Sequence, residues 1–223
     1  MARLLPVCLA TLLLPVLLFL TGLVTVVEPQ ARLTKRIMFI VDVSGSMRGD
    51  KFGAACKAVV GAFEQPVDEL EIAVLAFNDE PRRWPGIPEE GEGGRRIPEG
   101  WAALPSREAV EKAERFLSET GADGDTLVIP ALTRALAEER RELSLVLVTD
   151  GIFQRESADE VLAAFEAGQK AREERELGRV VLLAYGVGGE APVLRSLGAA
   201  GRGGYIREPL VRVPPVGPQG MVR

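Results

Sequence analysis

A chain of 223 residues, 47% apolar and 26% charged, has room for one domain of ordinary size plus a short appendage. Its formal charge of −5, with Arg82, Arg83, Arg95 and Arg96 offset by Glu80, Glu89, Glu90 and Glu92, argues against nucleic acid as a partner, which would call for a concentrated basic face. There is no histidine, which excludes histidine-based triads, general bases and metal ligands; any metal must be held by oxygen, as suits magnesium, calcium or manganese.

From Leu4 to Val27 there are 24 residues without a charge. A secretory apolar region usually runs to about 7–15 residues, whereas a bilayer needs about 20. Residues 1–27 are therefore expected to be a single-pass transmembrane anchor or an uncleaved signal segment. Arg3 lies on one side and Arg32, Lys35 and Arg36 on the other, so the charge rule leaves orientation open. The folded part is expected outside the cytoplasm, because such N-terminal segments most often act as export signals. Cys8 falls in this segment and Cys56 in an expected helix, which gives no disulfide framework; Cys56 reads as a small core residue.

Residues 28–36 form a polar linker. Ile37 to Val41 is a continuous apolar run, as a central strand covered on both faces requires, and it ends in Asp42, Ser44 and Ser46. Helical spacing follows from Gly49 to Phe63, with Phe52, Cys56, Val59, Val60 and Phe63 on one side. Ile72 to Phe77 is a second strand. Residues 78–100, rich in glycine, proline and charge, read as a long loop that either lines a partner surface, with Trp84 and its alternating acidic and basic runs, or is solvated and mobile. A short edge strand is expected over Trp101 to Leu104. Ser106 caps a helix to about Ser118, with Val110, Ala113 and Leu117 inward. After Gly121, Gly124 and Thr126 comes a helix from Val128 to about Glu139, with Pro130 in its tolerant first turn.

Leu143 to Thr149 is the strongest central strand, and Asp150 ends it. Ser157 and Glu160 have the spacing of a capping box opening a helix to about Glu176. Val180 to Tyr185 is a further strand, Pro192 to Leu197 a short helix, and Tyr205 with Ile206 a final strand. Residues 209–223, with four prolines and two glycines, read as a loose tail. Strands alternating with helices predict a doubly wound, mostly parallel α/β sheet with helices on both faces. Ligands of such sheets collect at the carboxyl ends of the strands, beside the topological switch point. If the first and fourth strands are neighbours, Asp42, Ser44, Ser46 and Asp150 meet there.

These residues resemble the von Willebrand factor A family, whose metal-ion-dependent adhesion site has the pattern Asp-x-Ser-x-Ser, then a threonine after a glycine turn, then a strand-end aspartate. Asp42, Ser44, Ser46, Thr126 and Asp150 match in the family's order, and the resemblance spans roughly residues 35–208, with the domain itself at 37–208. It implies a six-stranded, Rossmann-like sheet of order 3-2-1-4-5-6 with strand 3 antiparallel. It also implies a magnesium site, with manganese or calcium as alternatives, that binds an aspartate or glutamate of a protein partner. Asp125 departs from the commoner glycine before the threonine; it either adds an outer carboxylate or faces solvent. Arg48, Gly49 and Asp50 spell an integrin-recognition tripeptide, taken as coincidence because it falls where the loop enters a helix.

Each of the five residues also has a plainer reading as a helix cap or turn former. An enzyme is not expected. A phosphotransferase-type hydrolase begins with an aspartate at the same place but needs a second one two residues on, where this chain has Ser44. A metal-independent assembly scaffold is the other alternative.

Overall fold

The computed structural model describes residues 25–26, 33–63, 70–87, 97–104, 106–189 and 191–208. In chain order they form β1 (Thr25–Val26), β2 (Arg36–Asp42), α1 (Asp50–Phe63), β3 (Leu70–Phe77), β4 (Pro81–Arg83), β5 (Ala102–Leu104) and α2 (Arg107–Thr120). Then follow α3 (Val128–Leu136), β6 (Leu143–Thr149), α4 (Ala158–Glu174), β7 (Val181–Val187), α5 (Pro192–Ala200) and β8 (Arg202–Glu208). The strands make one sheet of order β1-β8-β7-β6-β2-β3-β4, with β5 also on β3. Strands β3, β2, β6, β7 and β8 are parallel, while β4 and β5 run antiparallel to β3 and β1 antiparallel to β8.

This is the expected mixed α/β architecture, with β2 and β6, the strands that carry Asp42 and lead into Asp150, side by side. Two details differ. The antiparallel third strand is split into β4 and β5, and β1 is added at the far edge. Register explains the continuous apolar runs. Ile37, Phe39 and Val41 of β2 face one core with α1 and α2, whereas Met38 and Ile40 face another with α3, α4 and α5. Strands β3 and β6 divide in the same way, so Ile72 to Phe77 and Leu145 to Val148 are apolar without a break.

The single-pass transmembrane expectation, and the localisation drawn from it, are corrected here. No helix among the described residues is long and apolar enough to cross a membrane. Thr25 and Val26, counted at the end of the uncharged run, are extended and pair with Arg207 and Ile206. An apolar count cannot distinguish a spanning helix from a run that ends in a strand. Residues 4–24 of that run lie outside the described residues, as does the 209–223 tail.

The 78–100 loop contains β4, and the Trp84 side chain is buried in the core rather than on a partner surface; residues 88–96 of the loop lie outside the described residues. Trp84 packs edge-on to Phe63, with ring centroids 5.6 Å apart at 72°. Ser106 caps α2, and Ser157 with Glu160 forms the reciprocal capping box of α4. Helix α3 stops at Leu136, short of Glu139, because buried Arg172 draws the next carbonyls out of the helix; its guanidinium donates to those of Leu136, Glu138 and Arg140. Strand β8 is longer than Tyr205 and Ile206 alone suggest. Glycines let it pack tightly: a Cβ on Gly198 of α5 would lie 2.2 Å from the Gly204 carbonyl oxygen.

Candidate metal centre

Strand β2 delivers Asp42 to the carboxyl edge of the sheet, fully buried. Its Oδ1 accepts from the Ser44 amide at 2.9 Å and its Oδ2 from Thr149 Oγ1 at 2.6 Å. Thr149 is the last residue of β6, so the ends of the two neighbouring strands are tied through this carboxylate. Beyond it the chain turns through a short 3₁₀ segment, Gly45–Met47. The Ser44 and Ser46 hydroxyls lie 3.1 Å apart, and Ser44 makes no side-chain cap. The capping alternative therefore fails for Ser44.

Thr126 reaches the same place on a separate loop. The Gly45 amide donates to the Gly124 carbonyl at 2.9 Å, the Asp123 amide to the Val43 carbonyl at 2.8 Å, and the Leu127 amide to the Asn78 carbonyl at 3.1 Å. These bonds lash residues 123–127 to the turn that carries the serines. Thr126 is fully buried, and its Oγ1 has no hydrogen-bond partner among the described residues. Nor does it cap α3. The first amides of that helix, at Val128 and Ile129, donate to the two carboxylate oxygens of Glu156 at 2.6 and 3.0 Å.

Glu156 is thus an N-terminal cap supplied from the loop after β6, with a negative charge suited to the helix dipole. Glu156→Ala is expected to destabilise the protein by about 1 kcal/mol, the usual cost of losing a cap. Denaturant unfolding checks this; an unchanged midpoint would show that water replaces the carboxylate without loss.

Asp150, just past β6, has a side chain only 2% exposed. Its Oδ1 accepts from the Ile152 amide at 3.0 Å, and its Oδ2 from Lys51 Nζ at 2.6 Å. Lys51, in the first turn of α1, also donates to the Ser46 carbonyl at 3.2 Å. Burial pushes the Asp42 carboxyl above its ordinary pKa; hydrogen bonds from Ser44 and Thr149 pull it back, and the charge of Asp150 adds to the rise. Two carboxylates near enough to repel therefore share this edge with one ammonium group.

All five expected residues come to one loop cluster at the carboxyl ends of β2 and β6. Thr149, Lys51 and Glu156 were not singled out from the sequence. Asp125 does not simply face solvent: its carboxylate pairs with Arg155 and its amide donates to Asp79 Oδ1 at 3.2 Å. In the tripeptide, Arg48 pairs with Asp123 and Asp50 opens α1.

Among the described residues no three His, Cys, Asp or Glu side chains converge as metal ligands. The donor set is instead two carboxylates and three hydroxyls, one of them an orphaned buried oxygen. Such an oxygen costs free energy unless something meets it. A hard cation taking neutral oxygen ligands fits that need.

A family profile described as von Willebrand factor type A domain matches residues 35–206. Comparison with curated protein sequences gives no match. Among solved structures, the chain is similar to a von Willebrand factor type A protein from Catenulispora acidiphila, with 20% identity and a TM-score of 0.54 over 77% of this chain and 38% of that one. It is also similar to the PilB minor pilin from Streptococcus sanguinis, with 12% identity and a TM-score of 0.53 over 81% of this chain and 59% of that one. At these identities the likeness is one of fold.

Proposed function

The chain belongs to the von Willebrand factor type A domain family, and from that premise we propose that Asp42, Ser44, Ser46, Thr126 and Asp150 form a metal-ion-dependent adhesion site serving protein–protein interaction. Magnesium is the first candidate for the ion, with manganese or calcium as alternatives, and the partner contributes an aspartate or glutamate. The observation that carries this reading is the buried, unpartnered Thr126 Oγ1. Capping does not account for it, since Glu156 holds the start of α3.

When bound, the ion would supply surplus positive charge at an open coordination position, because hydroxyls are neutral ligands. The protein's own residues do the positioning. Thr149 and the Ser44 amide fix the Asp42 carboxylate, the Ile152 amide fixes that of Asp150, and the backbone bonds from Val43 and Gly45 hold Thr126 in register with the serines. One observation favours a second reading, a metal-independent scaffold. Lys51 already gives Asp150 a counter-charge without any metal.

The two readings separate in a paired experiment. Titration calorimetry of the full chain with magnesium and manganese is expected to show one binding site. A crosslinking pulldown with and without chelator is expected to lose its captured partners in chelator. Capture that is indifferent to chelator, with no ion bound in the calorimeter, would sink the adhesion-site reading and leave the scaffold.

A further inference from the structure

Lys51 occupies an odd position for a surface lysine. Its Nζ lies 2.6 Å from Asp150 Oδ2 and 3.2 Å from the Ser46 carbonyl oxygen, and so engages two residues of the proposed cation site. The pair is unevenly buried, with the Asp150 side chain 2% exposed and that of Lys51 25%. Asp150 is also fixed by the Ile152 amide. Lys51, on a flexible four-carbon stem with solvent beside it, is the partner free to leave.

We propose that Lys51 is a resident counter-cation, which neutralises Asp150 while no divalent ion is bound and which an arriving ion must displace. This rests on the adhesion-site reading above and adds to it a threshold for occupancy set by the protein itself. Two effects act in the same direction. An ammonium held on the carboxylate repels a second positive charge brought to the same group. Without Lys51, a nearly fully buried carboxylate would stand beside Asp42 with no opposite charge, a condition costly in the ion-free protein and relieved by a cation. Lys51 thus favours the ion-free folded state and disfavours the loaded one. Adhesion is then switched by the supply of divalent ion, and the fold does not depend on it.

The test uses the full chain, its Lys51→Met variant and its Lys51→Arg variant, with Mn2+ as the probe. Lys51→Met is expected to bind Mn2+ about tenfold more tightly by calorimetry, a ratio equivalent to about 1.4 kcal/mol. It should also unfold at a lower temperature than wild type in chelator, with the deficit closing in saturating Mn2+. Lys51→Arg, which keeps the charge, should stay close to wild type in both measurements. A Lys51→Met protein that folds only with Mn2+ present is the extreme form of the same result.

Unchanged or weaker Mn2+ binding by Lys51→Met, with wild type binding normally, would overturn the proposal and leave the adhesion site standing. An equal loss of unfolding temperature with and without Mn2+ would overturn it in favour of a merely structural lysine. Absence of Mn2+ binding in wild type and variant alike, both folded, would remove the adhesion site and this proposal with it.

Discussion

Asp42→Asn is expected to weaken divalent-ion binding roughly hundredfold or more, since even partners behind a ligand cost about 10–100-fold when changed, while the protein stays folded. The fold survives because the amide replaces the carboxylate almost atom for atom. Its Oδ1 still accepts from the Ser44 amide, and its new NH2 donates to Thr149 Oγ1. That hydroxyl already accepts from the Gly151 amide at 3.0 Å and has a second lone pair to offer. Calorimetry with Mg2+ or Mn2+ reads the loss, and binding close to wild type would remove Asp42 from the site.

The same variant has a pH signature. The folded-state pKa of Asp42 is raised by burial, so the folded protein holds this proton more tightly than the unfolded chain does. The stability that the proton contributes is full below the unfolded pKa and is lost as pH rises through the raised folded value. In chelator, wild type should therefore lose stability across that window, and Asp42→Asn should lack this component. A variant with the same slope as wild type would assign the slope to another group.

Thr126→Val is expected to move stability and affinity in opposite directions. Valine fills the same space without the hydroxyl, so the ion-free protein no longer buries an unsatisfied oxygen. It should gain about 1 kcal/mol, or about 3 °C in unfolding temperature for a domain of this size. Divalent-ion affinity should fall about tenfold, the equivalent of about 1.4 kcal/mol, because a ligand has been removed. A structural threonine would behave otherwise, losing stability in chelator and leaving affinity alone. That outcome would show Thr126 Oγ1 to be held within the protein.

The long strands were legible because a strand buried on both faces is apolar without a break through its middle, as Ile37 to Val41 and Leu145 to Val148 are. Helix starts at Ser106 and Ser157 were equally legible, since caps are local chemistry. The edges were not. Pro81–Arg83 carries two arginines, which reads as loop, and the glycines of β8 give no periodicity. At the site, the five expected residues were named from the family's pattern of residue types in a fixed order. Lys51, Thr149 and Glu156 carry no such pattern, because each acts on a residue far away in sequence: Lys51 lies 99 positions from Asp150 and Thr149 lies 107 from Asp42. The uncharged N-terminal run misled because length and hydropathy say nothing of strand pairing, and Thr25 and Val26 are paired.

The divided edge of the sheet bears on how the molecule meets copies of itself. Strand β3 is eight residues long and apolar from Ile72 to Phe77, and an uncovered edge of that kind is a template for another chain to add to. It is covered instead by β4 and β5, three residues each, and the first begins with Pro81, which has no amide hydrogen to donate. At the opposite end β8 is met by the two-residue β1. A neighbouring chain adding to β4, β5 or β1 would find only two or three residues in register. Sheet-to-sheet polymerisation is thereby discouraged at the β3 end.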